Sequence, residues 1–121
     1  MNLQKVLEHY IECALWSSSD PDGGAEYLDQ TDATLSDAAK REMAADCQDF
    51  LEANEDDLDR FSEFGFAEPQ IGHDFWLTRN GHGAGFWDRG AGDVGERLTE
   101  AAKAHGSCDL YIGGDGKIHI M

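Results

Sequence analysis

The sequence predicts an α+β domain in which two N-terminal helices pack on an antiparallel sheet of two hairpins, with a third helix between the hairpins. Three observations predict it. Apolar residues recur at helical spacing through residues 2–16 and again beyond Ser36. The period then changes to alternation on either side of Asn80-Gly81, a strong two-residue turn signal. A second turn signal, Asp115-Gly116, lies between two short apolar runs near the C-terminus. The expected order is α, α, ββ, α, ββ.

Leu3, Val6, Leu7, Tyr10, Ile11, Ala14 and Leu15 mark one face of the first helix, which the polar run Ser17–Gly24 ends. Residues 20–34 are expected as a loop with one turn near Tyr27 and Leu28. Ser36 is a favourable N-cap for the second helix, and Asp37 meets the positive end of its dipole. Met43, Cys47, Phe50, Leu51, Leu58 and Phe61 form its apolar stripe, which ends near Phe64-Gly65, and Pro69 closes the region. Asn54 either continues this helix or caps a new segment and kinks it.

The first hairpin joins residues 73–79 to 84–88, with Trp76 covering Gly85 and His73 opposite Asp88. Both faces of that ribbon are apolar. Val94, Leu98, Ala101 and Ala102 give the third helix, which Gly106 ends. Residues 108–112 and 117–121 form the second hairpin. With 121 residues, the chain is expected to be one domain, an acidic helical half at 1–72 and a ββαββ half at 73–121.

The charge is lopsided. Residues 1–72 hold 18 carboxylates against 4 basic side chains, a net of −14; residues 73–121 hold 7 against 5, a net of −2. The total of −16 repels phosphate backbones and anionic lipid, so nucleic acid and membrane are excluded as direct partners and basic protein surfaces are favoured. No apolar run is long enough to span a bilayer and no secretory leader opens the chain, so the expected setting is cytoplasmic. Cys13, Cys47 and Cys108 are too few and too scattered for a disulfide framework or a zinc motif, and no cofactor is predicted.

Two constellations carry candidate chemistry. Asp49, Glu52, Glu55, Asp56, Asp59 and Glu63 fall opposite the apolar stripe, over roughly 21 Å at a helical rise. Neighbours three or four apart repel, and a row of negative charges roughly 5–6 Å apart presents a basic groove with something like a strand of phosphates. The plainer alternatives are a solvated face and adaptation to high salt. Trp76 and Trp87 are candidate aromatic anchors for the same partner. The second constellation is His73, His82, Asp88 and Arg89, in which a His–carboxylate pair suits general base or ligand-binding chemistry. No His-x-x-x-His spacing, cysteine pair or nucleophile elbow accompanies it.

The segment His73–Gly90, HDFWLTRNGHGAGFWDRG, resembles one found in a family of short acidic proteins of tailed phages and prophages. Residues 95–103, 109–113 and 14–17 are similar to the same group. The resemblance implies a phage or mobile-element origin and carries over no catalytic residue. It favours an acidic protein that occupies the basic channel of a host nucleic-acid-processing or defence protein. A small enzyme or ligand-binding module at the histidine set is the second expectation. Self-association, as a homodimer through the apolar ribbon, is the third.

Overall fold

Helix α1, Leu3–Ser17, starts where the Asn2 side chain accepts a hydrogen bond from the Lys5 amide, and it buries Val6, Tyr10, Cys13 and Ala14 along one stripe. A computed structural model of the protein describes residues 1–20, 27–82 and 84–121. Part of the expected 20–34 loop and the glycine at 83 lie outside the described residues. A short 3₁₀ turn, Leu28–Gln30, falls where one was expected and buries Leu28.

Ser36 caps α2, Asp37–Ala53, by accepting from the Ala39 amide at 3.1 Å. Ala39, Met43, Cys47 and Phe50 are its buried stripe. At Asn54 the backbone leaves the helical region, and α3, Glu55–Glu63, begins. The Asn54 amide group donates to the Phe50 carbonyl at 2.9 Å and so satisfies an acceptor at the end of α2. The Asn54 carbonyl accepts from Leu58 at 2.9 Å and starts the next helix. The expected kink is thus a full break, with Glu55, Asp56 and Asp57 in the new first turn, where the dipole favours them.

The first hairpin does not exist. Residues Glu68–Arg79 form helix α4, and residues 86–88 form only a 3₁₀ turn. The physical reason lies at the two ends of the helix. Pro69 stands in the first turn, where its missing amide costs nothing, so it opens a helix instead of closing a region. Asn80-Gly81 terminates α4 in a Schellman motif: Gly81 has φ +70°, its amide donates to Thr78 at 3.1 Å, and the His82 amide donates to Leu77 at 3.0 Å. Asn-Gly suits a hairpin turn and a helix C-terminus for the same reason, its tolerance of positive φ. The helical period is hidden because α4 is enclosed on nearly every side, with Ile71, Asp74, Phe75, Trp76, Leu77 and Thr78 all buried.

Helix α5, Asp93–Lys103, follows and buries Val94, Leu98, Thr99 and Ala102. The second hairpin is as expected in outline: β1, Leu110–Ile112, pairs antiparallel with β2, Ile118–Ile120, with Tyr111 opposite His119. β2 also exchanges hydrogen bonds with the extended segment entering α2, through Ser36 to Ile118 at 2.9 Å and Ile118 to Thr34 at 2.8 Å, an isolated bridge at Leu35. Among the described residues the fold is therefore five α-helices with a single two-stranded sheet, not helices on a four-stranded α+β sheet. No helix among the described residues is long and apolar enough to cross a membrane.

The most extensive helix pair is α1 with α4. Around it an aromatic core joins Tyr10, Phe50, Phe75, Phe61 and Phe86, with the Phe50 and Phe75 rings stacked at 4.2 Å. Arg79 lies inside this core, donating to Asp46 at 2.8 Å, to the Tyr10 hydroxyl at 3.0 Å, and to the carbonyls of His105 and Gly106 at 3.0 and 2.8 Å. Burial works against its charge, and its contacts with Tyr10 and Asp46 more than offset that, so its pKa is raised. One guanidinium ties α1, α2, α4 and the turn after α5 together.

Candidate functional site: the acidic α2–α3 face

All six carboxylates of the expected row, Asp49, Glu52, Glu55, Asp56, Asp59 and Glu63, are exposed. None of them forms an ion pair among the described residues. The break at Asn54 divides the row, leaving Asp49 and Glu52 on α2 and the other four on α3. Glu52 and Glu55 meet at the junction and border two hollows, one shared with Asp56, Arg60 and Arg97 and one shared with Asp59 and Met1. The row is thus divided between two helices, with Glu52 and Glu55 on either side of the break.

The basic side chains nearest the core are committed elsewhere. Arg79 pairs with Asp46, Arg89 with Asp74, and Arg97 with Asp57. The Arg97 guanidinium enters the junction hollow and holds Asp57 through three hydrogen bonds of 2.9–3.0 Å, which lower the Asp57 pKa. Arg60 stays exposed beside the row. Among the described residues Glu52 accepts only from Gln48, at 3.1 Å. Glu52 lies in the last turn of α2 and Glu63 ends α3, both near the negative pole of a helix dipole, where a carboxylate is disfavoured.

Of the two expected anchors only Trp87 is available. It is 44% exposed on the 3₁₀ turn, whereas Trp76 is 1% exposed, packed edge-on to Tyr10 and donating to the Ser17 hydroxyl at 3.0 Å. Gly85, expected beneath Trp76, lies instead against Thr78 and Trp87.

The second constellation is dispersed. His73 faces α1, 3.5 Å from Glu12 and with its ring 5.9 Å from that of His9. His82 is exposed at the end of α4 and borders a shallow hollow with Trp16, Tyr27 and Leu77. Asp88 is exposed. Arg89 grips the fully buried Asp74. No hydrogen bond, ion pair or ring contact joins His73, His82, Asp88 and Arg89 among the described residues, and the pairing of His73 with Asp88 disappears with the hairpin. The apolar ribbon offered for self-association is likewise absent, because its residues are the interior of α4 and the 3₁₀ turn.

The three thiols are free and buried, and burial pushes Cys13 and Cys47 up to about 12 and Cys108 up to about 11. They are poor nucleophiles and poor metal ligands as they stand. The one group of potential metal-ligating side chains that converges among the described residues is His9, Glu12 and His73. Sequence reasoning missed that group, and Asp74 with Arg89, because each joins residues whose proximity depends on α4 being a helix. Pro69 just inside its start and Gly81 just past its end were the signal that could have found it. No protein-family profile, curated protein or solved structure matches this chain.

Proposed function

We propose that this protein binds and blocks a basic groove of a host nucleic-acid-processing or defence protein, presenting the α2–α3 carboxylates where that groove takes phosphates. The observation that supports this reading is the partition of charge. Arg79, Arg89 and Arg97 neutralise Asp46, Asp74 and Asp57, while the six carboxylates of the face are left exposed and without ion pairs among the described residues. Within the face, the helix dipoles disfavour Glu52 and Glu63 in the last turns of α2 and α3 and favour Glu55 and Asp56 in the first turn of α3. Exposed Trp87 offers an aromatic contact in addition.

The reading is tested by capture from host lysate on the immobilised protein. A nucleic-acid-binding enzyme should be retained at low salt and released both by high salt and by added duplex DNA. A variant with Glu52, Asp56, Asp59 and Glu63 all changed to Lys should keep the fold by circular dichroism and lose the capture. Undiminished capture by that variant, or retention indifferent to salt and DNA, overturns the proposal.

A further inference from the structure

Where α1 crosses α4, the surface carries a cluster that the acidic face does not use. His9 and Glu12 stand three residues apart on α1, His73 projects from α4, and one ligating atom from each lies within 4.8 Å of the other two. His73 Nε2 is 3.5 Å from Glu12 Oε1. In a tetrahedral zinc site with bonds near 2.0–2.1 Å, ligand atoms sit about 3.3 Å apart. One edge of such a site is therefore almost formed, and a ligating atom of His9 lies within 4.8 Å of the other two. Glu12 is exposed and both histidines are partly so, which leaves room for a further ligand from solvent.

The arrangement is fixed by backbone packing and not by a loop. A Cβ at Gly72 would strike the Val6 carbonyl and stand 2.8 Å from the Tyr10 amide and 3.1 Å from the His9 Cβ. Only glycine lets the two helices approach this closely, one residue before His73 and directly beneath His9. The Cys13 thiol donates to the His73 carbonyl at 3.8 Å, a further tie between the helices at this level. The Trp16 ring flanks His73 at 6.4 Å. Two imidazoles and one carboxylate are a ligand set for a divalent transition metal, and they discriminate against the all-oxygen preference of Mg²⁺ and Ca²⁺.

We propose that His9, Glu12 and His73 bind one Zn²⁺ ion across the α1–α4 crossing, with at least one coordination position open to solvent. The test is calorimetric titration of the full chain with Zn²⁺ in excess Mg²⁺, added to compete for exposed carboxylates, alongside Co²⁺ absorption and imidazole NMR. The expected result is one Zn²⁺ per chain, with the His9 and His73 resonances shifted and those of His82, His105 and His119 unmoved. Removing a ligand should cost more than the roughly 10–100-fold that loss of an outer-shell partner costs. His9→Ala and His73→Ala supply that comparison. Glu12→Gln supplies it without threatening the fold, since that side chain is exposed. His119→Ala should bind as the parent does. Absence of a Mg²⁺-resistant site, or binding undiminished by Glu12→Gln and His73→Ala, overturns the proposal.

Discussion

Arg89 closes over Asp74 with two parallel hydrogen bonds, Nε to Oδ2 at 3.0 Å and Nη2 to Oδ1 at 2.8 Å. Asp74 has no exposed side-chain surface, and it also accepts from the Gln70 amide group at 2.9 Å. The bonds to Asp74 raise the Arg89 pKa, so the guanidinium stays charged. A carboxylate placed that deeply is tolerable only while its partner remains. The pair also ties down the segment between α4 and α5, where the 3₁₀ turn Phe86–Asp88 is the only regular element among the described residues.

Arg89→Ala should therefore destabilise the protein by about 3–5 kcal/mol, the usual cost of leaving one buried charge unpaired. Urea unfolding followed by circular dichroism measures it. The double variant Asp74→Leu with Arg89→Met should recover most of that loss, because removing both charges removes the desolvation cost as well. A double variant no more stable than Arg89→Ala would show that the pair contributes more than mutual neutralisation.

Gly72→Ala should be costly although alanine is the better helix former. The added methyl meets the Val6 carbonyl and the Tyr10 amide of α1, which are backbone and cannot rotate away. Overpacking of this kind costs about 1–3 kcal/mol, set against about 1 kcal/mol gained in helix propensity. A thermal unfolding midpoint equal to or above that of the parent would contradict the close crossing.

The buried thiols make stability fall at alkaline pH. The unfolded chain releases thiol protons near pH 8.5, by the model-peptide value of about 8.5. The folded chain holds them until about 11–12. Across that window the native state binds more protons than the unfolded state, so unfolding free energy decreases as pH rises and is undiminished below the window. Each thiol contributes at most about 1.4 kcal/mol per pH unit. Unfolding free energies measured at neutral pH and in steps up to pH 10 should show the decline, and Cys47→Ala should flatten it. The same thiols should react with Ellman's reagent only as fast as the protein opens.

The acidic face should show opposite effects on stability and binding. Glu63→Lys places a cation at the negative end of α3 and should add about 0.3–1 kcal/mol to stability. The same change should weaken capture of a basic partner. Urea unfolding and the low-salt pull-down, done on one preparation, check both signs.

The two ends of the chain were legible because their elements are one-sided. α1 has Val6, Tyr10, Cys13 and Ala14 inside and Gln4, Lys5 and Glu8 outside, so the period shows in the residue order. α2 and the β1–β2 hairpin show comparable signals in Ser36 and in Asp115-Gly116. The exposure of the six carboxylates was legible for the same reason, although the break at Asn54 divides them between α2 and α3. α4 was not legible because nearly all of it is interior. Phe75, Trp76 and Leu77 are all buried, so no polar face marks a period, and Asn80-Gly81 ends a helix as readily as it turns a hairpin.

By itself, then, the sequence determined the outer helices, the C-terminal hairpin, the uneven charge and the outward placement of the acidic row. Those depend on local propensity and on which residues water will accept. Only the tertiary structure decided that residues 68–79 coil, that Trp76 is enclosed while Trp87 is not, that Arg79 and Arg89 neutralise Asp46 and Asp74, and that His9, Glu12 and His73 meet. Each of these joins residues distant along the chain or lies in a segment packed on every side, where packing partners set the conformation and no pattern along the chain reports them.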